Sequence, residues 1–126
     1  MLDAEYNATV MEHFLNPRNV GELKDASAIG IAVNPHCGDT MKLYIKVADG
    51  RIADLRFKTF GCGAAIASSS IGTELFRGKT IDEALSVTDA EIVSSLGGLP
   101  ERKVVCSLLA VKALAAAVDE FRRRSK

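Results

Sequence analysis

The chain has 126 residues, 48% of them hydrophobic and 25% charged, which is enough to bury one core and too little for two ordinary domains. Lys and Arg together number 16, as do Asp and Glu, so no long-range field draws the chain to nucleic acid or an anionic membrane, and partners have to be recognised locally. The opening residues carry Asp3, Glu5 and Glu12 without an unbroken apolar stretch, unlike a secretory signal, and no later apolar run reaches the roughly 18 residues of a membrane-spanning helix. The expected location is the cytoplasm.

In chain order, residues 4 to 15 place Val10, Met11, Phe14 and Leu15 at helical spacing, and the helix should stop at Asn16-Pro17, because a residue before proline is pushed out of the helical region. NPRNVG is then a loop. The apolar run Ala28 to Val33 predicts a strand, followed by a tight turn through Asn34-Pro35 and Gly38-Asp39 that contains Cys37. Met41, Leu43, Ile45 and Val47 alternate with Lys42, Tyr44 and Lys46, and a second alternation through Ala53, Leu55 and Phe57 follows Asp49-Gly50. Asp-Gly between two alternating runs signals a hairpin over residues 40 to 60, one face buried and one wet.

Cys62 lies where that second strand gives way to a small-residue helix reaching about Arg77. Thr80 with Glu83, and Thr88 with Glu91, have the spacing of capping boxes for two short helices. After Gly97-Gly98, Pro100 suits the first turn of a last helix with Val104, Leu108, Val111, Ala115 and Val118 on one stripe and Cys106 in its opening turns. The expected fold is α/β of the α+β type: a single compact domain over residues 1–126, with a three-stranded antiparallel sheet packed against several helices.

Three cysteines without an export signal argue against a disulfide framework and for reduced thiols. A single buried cysteine is as readily core filler as ligand. None of Cys37, Cys62 and Cys106 has a second cysteine close by in sequence, which excludes the paired C-x-x-C knuckle. Yet each sits where one element ends or another begins, so three loops could close on one open site. Gly38, Gly61 and Gly63 leave the backbone N–H groups beside Cys37 and Cys62 unobstructed, as thiolate sulfur at iron-sulfur sites requires. Cys62 and Cys106 also precede or open helices, whose positive ends favour thiolate.

Asp39 could bond its own turn or, beside a thiolate site, act as a harder and weaker fourth donor that lets a cluster be released. Lys103 could lower the Cys106 pKa, pair with Asp39 in the empty site, or be a solvated lysine. His36 could donate nitrogen, although neighbours in sequence generally point apart, and His13 reads as a structural or surface group. Ser68, Ser69 and Ser70 read as small residues for close helix packing, and Arg122, Arg123 and Arg124 as complements to a helix C-terminus. A cysteine-nucleophile enzyme would need a positioned histidine base, and only His13 and His36 exist.

HFLNPRNVG at 13 to 21, NPHCGD at 34 to 39, MKLYIKV at 41 to 47, FKTFGCGAAIASSS at 57 to 70, GKTIDEAL at 78 to 85 and LGGLPERKVVCSLLA at 96 to 110 resemble the U-type iron-sulfur cluster scaffolds, which comprise IscU and the N-terminal domain of NifU. The resemblance spans almost the whole chain. It implies a free-standing scaffold or carrier, not an enzyme, that receives sulfur from a cysteine desulfurase and iron from a donor. A transient two-iron, two-sulfur cluster would be built on Cys37, Asp39, Cys62 and Cys106 and passed to apo-proteins, and zinc would bind the empty site. An alternative within the resemblance is a zinc-dependent persulfide acceptor of SufU type using Cys106, although the insertion typical of that branch between Cys62 and Cys106 is absent. Val105 stands where related scaffolds commonly carry histidine. LPERK keeps Leu99, Pro100 and Lys103 of the LPPVK segment read by a dedicated DnaK-type chaperone, which admits such a chaperone as a partner.

Overall fold

The computed structural model describes residues 7–34, 38–99, 104 and 106–124. Helix α1 (Ala8–Leu15) is capped by the Asn7 side chain, which accepts from the Val10 N–H, and it ends at Asn16, just ahead of Pro17. Strands β1 (Ala28–Val33), β2 (Thr40–Ala48) and β3 (Arg51–Phe60) form an antiparallel sheet in the order β1-β2-β3. Four helices follow: α2 (Gly63–Phe76), α3 (Ile81–Leu85), α4 (Asp89–Ser95) and α5 (Leu108–Arg124). Asp49 and Gly50 both take positive φ, 55° and 74°, as a two-residue hairpin turn matched to strand twist requires. The capping boxes of Thr80 with Glu83 and Thr88 with Glu91 both form.

The inward face of the sheet differs from the simple alternation in one strand. Lys46 pairs with Asp54 but Val47 pairs with Ile52, so Ala53 is the extra residue of a β-bulge. The bulge shifts the parity. Ile52, Leu55 and Phe57 point into the core, and Ala53 is exposed. Tyr44, expected on the wet face, does lie on the outer side but is buried, with the Lys42 ammonium 5.2 Å from its ring centroid.

The last helix differs in phase. Cys106 lies in a tight helical turn at 104 and 106–107, just before α5 begins at Leu108, while Pro100 to Lys103 and Val105 lie outside the described residues. The buried stripe of α5 is Leu109, Ala110, Ala113, Leu114, Ala117 and Val118, with Ala115 exposed. The reason is a backbone-to-backbone approach. A methyl group on Gly30 of β1 would overlap the Ala113 carbonyl oxygen and the Ala117 nitrogen, and would lie 2.9 Å from Ala117 Cα. Only the alanine face of α5 can lie this close to β1, so volume sets the phase of the stripe. Gly30→Ala should therefore cost about 1–3 kcal/mol, read as a lower urea midpoint with an unchanged slope.

Helix α2 is buried on most sides, its three consecutive serines included. The Ser70 hydroxyl accepts the Arg18 N–H at 2.9 Å and lies 2.7 Å from His13 Nδ1, fixing α1 and the NPRN loop onto α2. Asn19 extends this seam, donating to Thr73 Oγ1 at 2.9 Å and accepting from Arg77 at 2.6 Å. Burial, followed by the nearby Arg18 charge, lowers the His13 pKa below its ordinary value of 6.5. The unfolded chain therefore takes up a proton first as pH falls. The stability from neutral His13 is fully present above about pH 6.5 and is lost as pH drops from there through the lower folded-state value. His13→Gln should flatten the dependence of the thermal midpoint on pH over this window.

Candidate metal centre

The turn between β1 and β2, the junction of β3 with α2 and the turn ahead of α5 bring three sequence-distant segments to one end of the sheet. β1 ends there at Val33, β2 begins at its partner Thr40, and Thr40 pairs with Phe60 at the end of β3. Between β1 and β2 the Asn34 N–H donates to the Asp39 carbonyl at 2.8 Å, and the Gly38 N–H to the Asn34 carbonyl at 2.7 Å, with Gly38 at φ 73°. Closing the turn in this way directs Asp39 toward the start of α2. Cys62 is the N-cap of α2 and its side chain makes no capping bond. α5 runs antiparallel to β1, with Arg124 donating to the Ser27 carbonyl beside the far end of that strand, so the turn before α5 delivers Cys106 to the same end as Asp39.

The outcome is a compact triangle of donors. Cys62 Sγ lies 3.6 Å from Asp39 Oδ2, Cys106 Sγ lies 3.8 Å from the same oxygen, and the two sulfurs are 3.7 Å apart. Asp39 and Cys106 are buried, 5% and 3% exposed, and Cys62 is half-buried. For a tetrahedral ion with metal–sulfur bonds of about 2.3 Å and a metal–oxygen bond of about 2.0 Å, the sulfur–sulfur edge is about 3.8 Å and the sulfur–oxygen edge about 3.5 Å. Three vertices of such a shell are thus already spaced for an ion.

Of the residues singled out by sequence, Asp39, Cys62 and Cys106 come together. Cys37, His36, Lys103 and Val105 lie outside the described residues. His13 is removed from the triangle, held against Ser70 on α2. The outer face of the sheet holds a feature that alternation alone underplays. Phe60, next in sequence but one to Cys62, is 76% exposed, and Ile29, Ile31 and Val33 of β1 are exposed on the same side. Strand parity could have found it, since Phe60 shares a face with Lys58.

A sequence model of the NifU-like N terminal domain matches residues 5–126. This chain belongs to that family. Among its relatives is "Iron-sulfur cluster assembly scaffold protein IscU 1" of Archaeoglobus fulgidus, 54% identical over 122 residues, covering 96% of this chain and 80% of the relative. "Iron-sulfur cluster assembly scaffold protein IscU" of Aquifex aeolicus is 50% identical over 119 residues, covering 93% and 76%. Among solved structures, FiSufU from Fervidobacterium islandicum, a candidate iron-sulfur cluster assembly scaffold for the SUF system, superposes with a TM-score of 0.75 at 25% identity, covering 90% of this chain and 96% of that one. The three-stranded antiparallel sheet with its surrounding helices is therefore the fold of a NifU-like N-terminal domain. Among the described residues, no helix is long and apolar enough to cross a membrane.

The exposure of the two described thiols differs, and so should their reactivity. In the metal-free, reduced protein, iodoacetamide should modify Cys62 several-fold faster than Cys106, since access limits a buried thiol. Peptide mass spectrometry over a time course measures the order, and zinc should slow both.

Proposed function

We propose that this NifU-like domain is a scaffold on which an iron-sulfur cluster is assembled and from which it is passed on, a carrier and not an enzyme. The observation that carries this reading is the triangle of Asp39, Cys62 and Cys106, with tetrahedral edge lengths and Cys62 half-buried beside two buried partners. The relatives named as IscU scaffolds support it. In this reading Cys37, from the turn that also carries Asp39, is the fourth donor. The cargo is a two-iron, two-sulfur cluster, and thiolate softness suits it. Lys103, three residues ahead of Cys106 in sequence, favours the Cys106 thiolate. Sulfur comes from a cysteine desulfurase and iron from a donor, apo-proteins receive the product, and a DnaK-type chaperone reading LPERK is a further partner. The site of action is the cytoplasm.

The spacing also suggests an order of events. A two-iron cluster takes two protein donors on each iron, whereas the triangle is spaced for three donors on one ion. Zinc therefore suits the empty scaffold, with Val105 contributing no ligand, and loading of the cluster requires one donor to move from the shared ion to the second iron. Asp39 is the natural one to move, because a carboxylate oxygen is the hardest and weakest of the four partners for iron-sulfur units.

Anaerobic reconstitution with iron, sulfide and reductant should give a coloured protein containing iron and sulfide in equal amounts. Serine at Cys37, Cys62 or Cys106 should each sharply reduce the yield, and full cluster in all three variants would overturn the assignment. Asp39→Ala should slow transfer to an apo-protein more than it reduces assembly, followed by the loss of scaffold absorbance. A second reading is a zinc-dependent sulfur acceptor of SufU type, in which Cys106 accepts a persulfide sulfur and relays it, and a SufU-like structure is among the neighbours in fold. After desulfurase turnover, extra sulfur on Cys106 in a protein that never assembles a cluster would favour that second reading.

A further inference from the structure

Gly61 joins the end of β3 to the N-cap of α2, and the Asp39 carboxylate lies against it. A methyl group on Gly61 would sit 2.6 Å from Asp39 Cγ, 2.6 Å from Oδ1 and 3.0 Å from Cβ. Non-bonded carbons rest about 3.5–4.0 Å apart, so a side chain at 61 and Asp39 in its present position exclude each other. Backbone geometry supplies no other demand for glycine. Gly21, Gly38, Gly50, Gly78, Gly97 and Gly98 have positive φ, and Gly61 does not. Nor does the core require it, because Gly61 is exposed. The methyl position lies over the face of the carboxylate on its Oδ1 side, while Oδ2 faces both sulfurs.

We infer that Gly61 is a positioning residue for the metal centre, whose missing side chain lets Asp39 seat its Oδ2 within reach of Cys62 and Cys106. The inference rests on the reading of Asp39 as a donor. Alanine at 61 forces the Asp39 side chain to rotate off the strand-to-helix junction, taking Oδ2 out of the triangle, and leaves both thiols in place. Gly61 thereby fixes the one oxygen donor of a sulfur-rich site, and so the balance between a firmly and a loosely held ion.

The test is a double-mutant cycle on the full, reduced, metal-free chain, with zinc alone as the probe in competition with a chromogenic chelator. Gly61→Ala should weaken zinc by about tenfold, the lower range for loss of an outer-shell support, Asp39→Ala by at least as much because it removes the donor itself, and the double variant should be no weaker than Asp39→Ala. Any fall in the metal-free thermal midpoint of Gly61→Ala should shrink in the double variant, because removing the Asp39 carboxylate removes the two 2.6 Å overlaps and leaves only the 3.0 Å approach to Asp39 Cβ. Parental zinc affinity in Gly61→Ala, or multiplicative losses in the double variant, would overturn the positioning role. So would a midpoint loss that the double variant retains undiminished. If Asp39→Ala itself bound zinc like the parent, the donor role of Asp39 would fall, and this inference with it.

Discussion

The close approach of α5 to β1 at Gly30 is the constraint from which the site's geometry follows. With no side chain at position 30, the backbone at Ala113 and Ala117 can rest on the strand, and this contact runs along the axis that carries Arg124 to Ser27 at one end and Cys106 to Asp39 at the other. Close-packed interiors transmit displacements instead of absorbing them. A helix held a methyl group further from β1 would therefore also withdraw Cys106 from the triangle. Core packing and donor spacing are two consequences of one contact.

The donors themselves are held with unequal firmness. Cys62 is fixed by its place at the N-cap of α2, a helix buried on most sides, and Cys106 by the packing of the helix that follows it. Asp39 depends on a turn closed by two backbone hydrogen bonds and on the open space above Gly61. That gradient suits a scaffold. In the proposed role, two thiols on packed elements are the stable place to build, and an oxygen donor on a turn is the place where the assembly loosens. A structural zinc site has the opposite requirement, four firm ligands and a closed shell.

The seam between α1 and α2 shows the same economy at a distance from the site. The Ser70 hydroxyl serves both the Arg18 N–H and the His13 ring, and Asn19 ties the NPRN loop to Thr73 and Arg77. Short polar side chains on α2 thus satisfy backbone and ring groups that burial would otherwise leave unpaired. Of the serines that resemble a nucleophile run, Ser70 fastens α1 to α2 and Ser69 ties α2 to Thr59 of β3.

Local rules in the sequence were sufficient wherever the deciding interaction is itself local. Asn16-Pro17 ends α1, Asp49-Gly50 makes the hairpin, Thr80 and Thr88 cap their helices, and the strands stand where one apolar run and two alternating runs put them, because proline, turn and capping chemistry act within a few residues. The family likeness and the candidate donors Asp39, Cys62 and Cys106 were legible for a related reason, since glycine flanks and element junctions are written beside each residue. Tertiary structure decided what depends on partners far away in the chain. The bulge at Ala53 comes from strand pairing with Lys46 and Val47, and the phase of α5 from the room that Gly30 leaves. Only the folded chain sets the 3.6–3.8 Å edges of the donor triangle and the seating of Asp39 against Gly61. Spacing along the sequence carries no information on distances across loops, because these are fixed by how helices and sheet pack and not by the residues next to the donors.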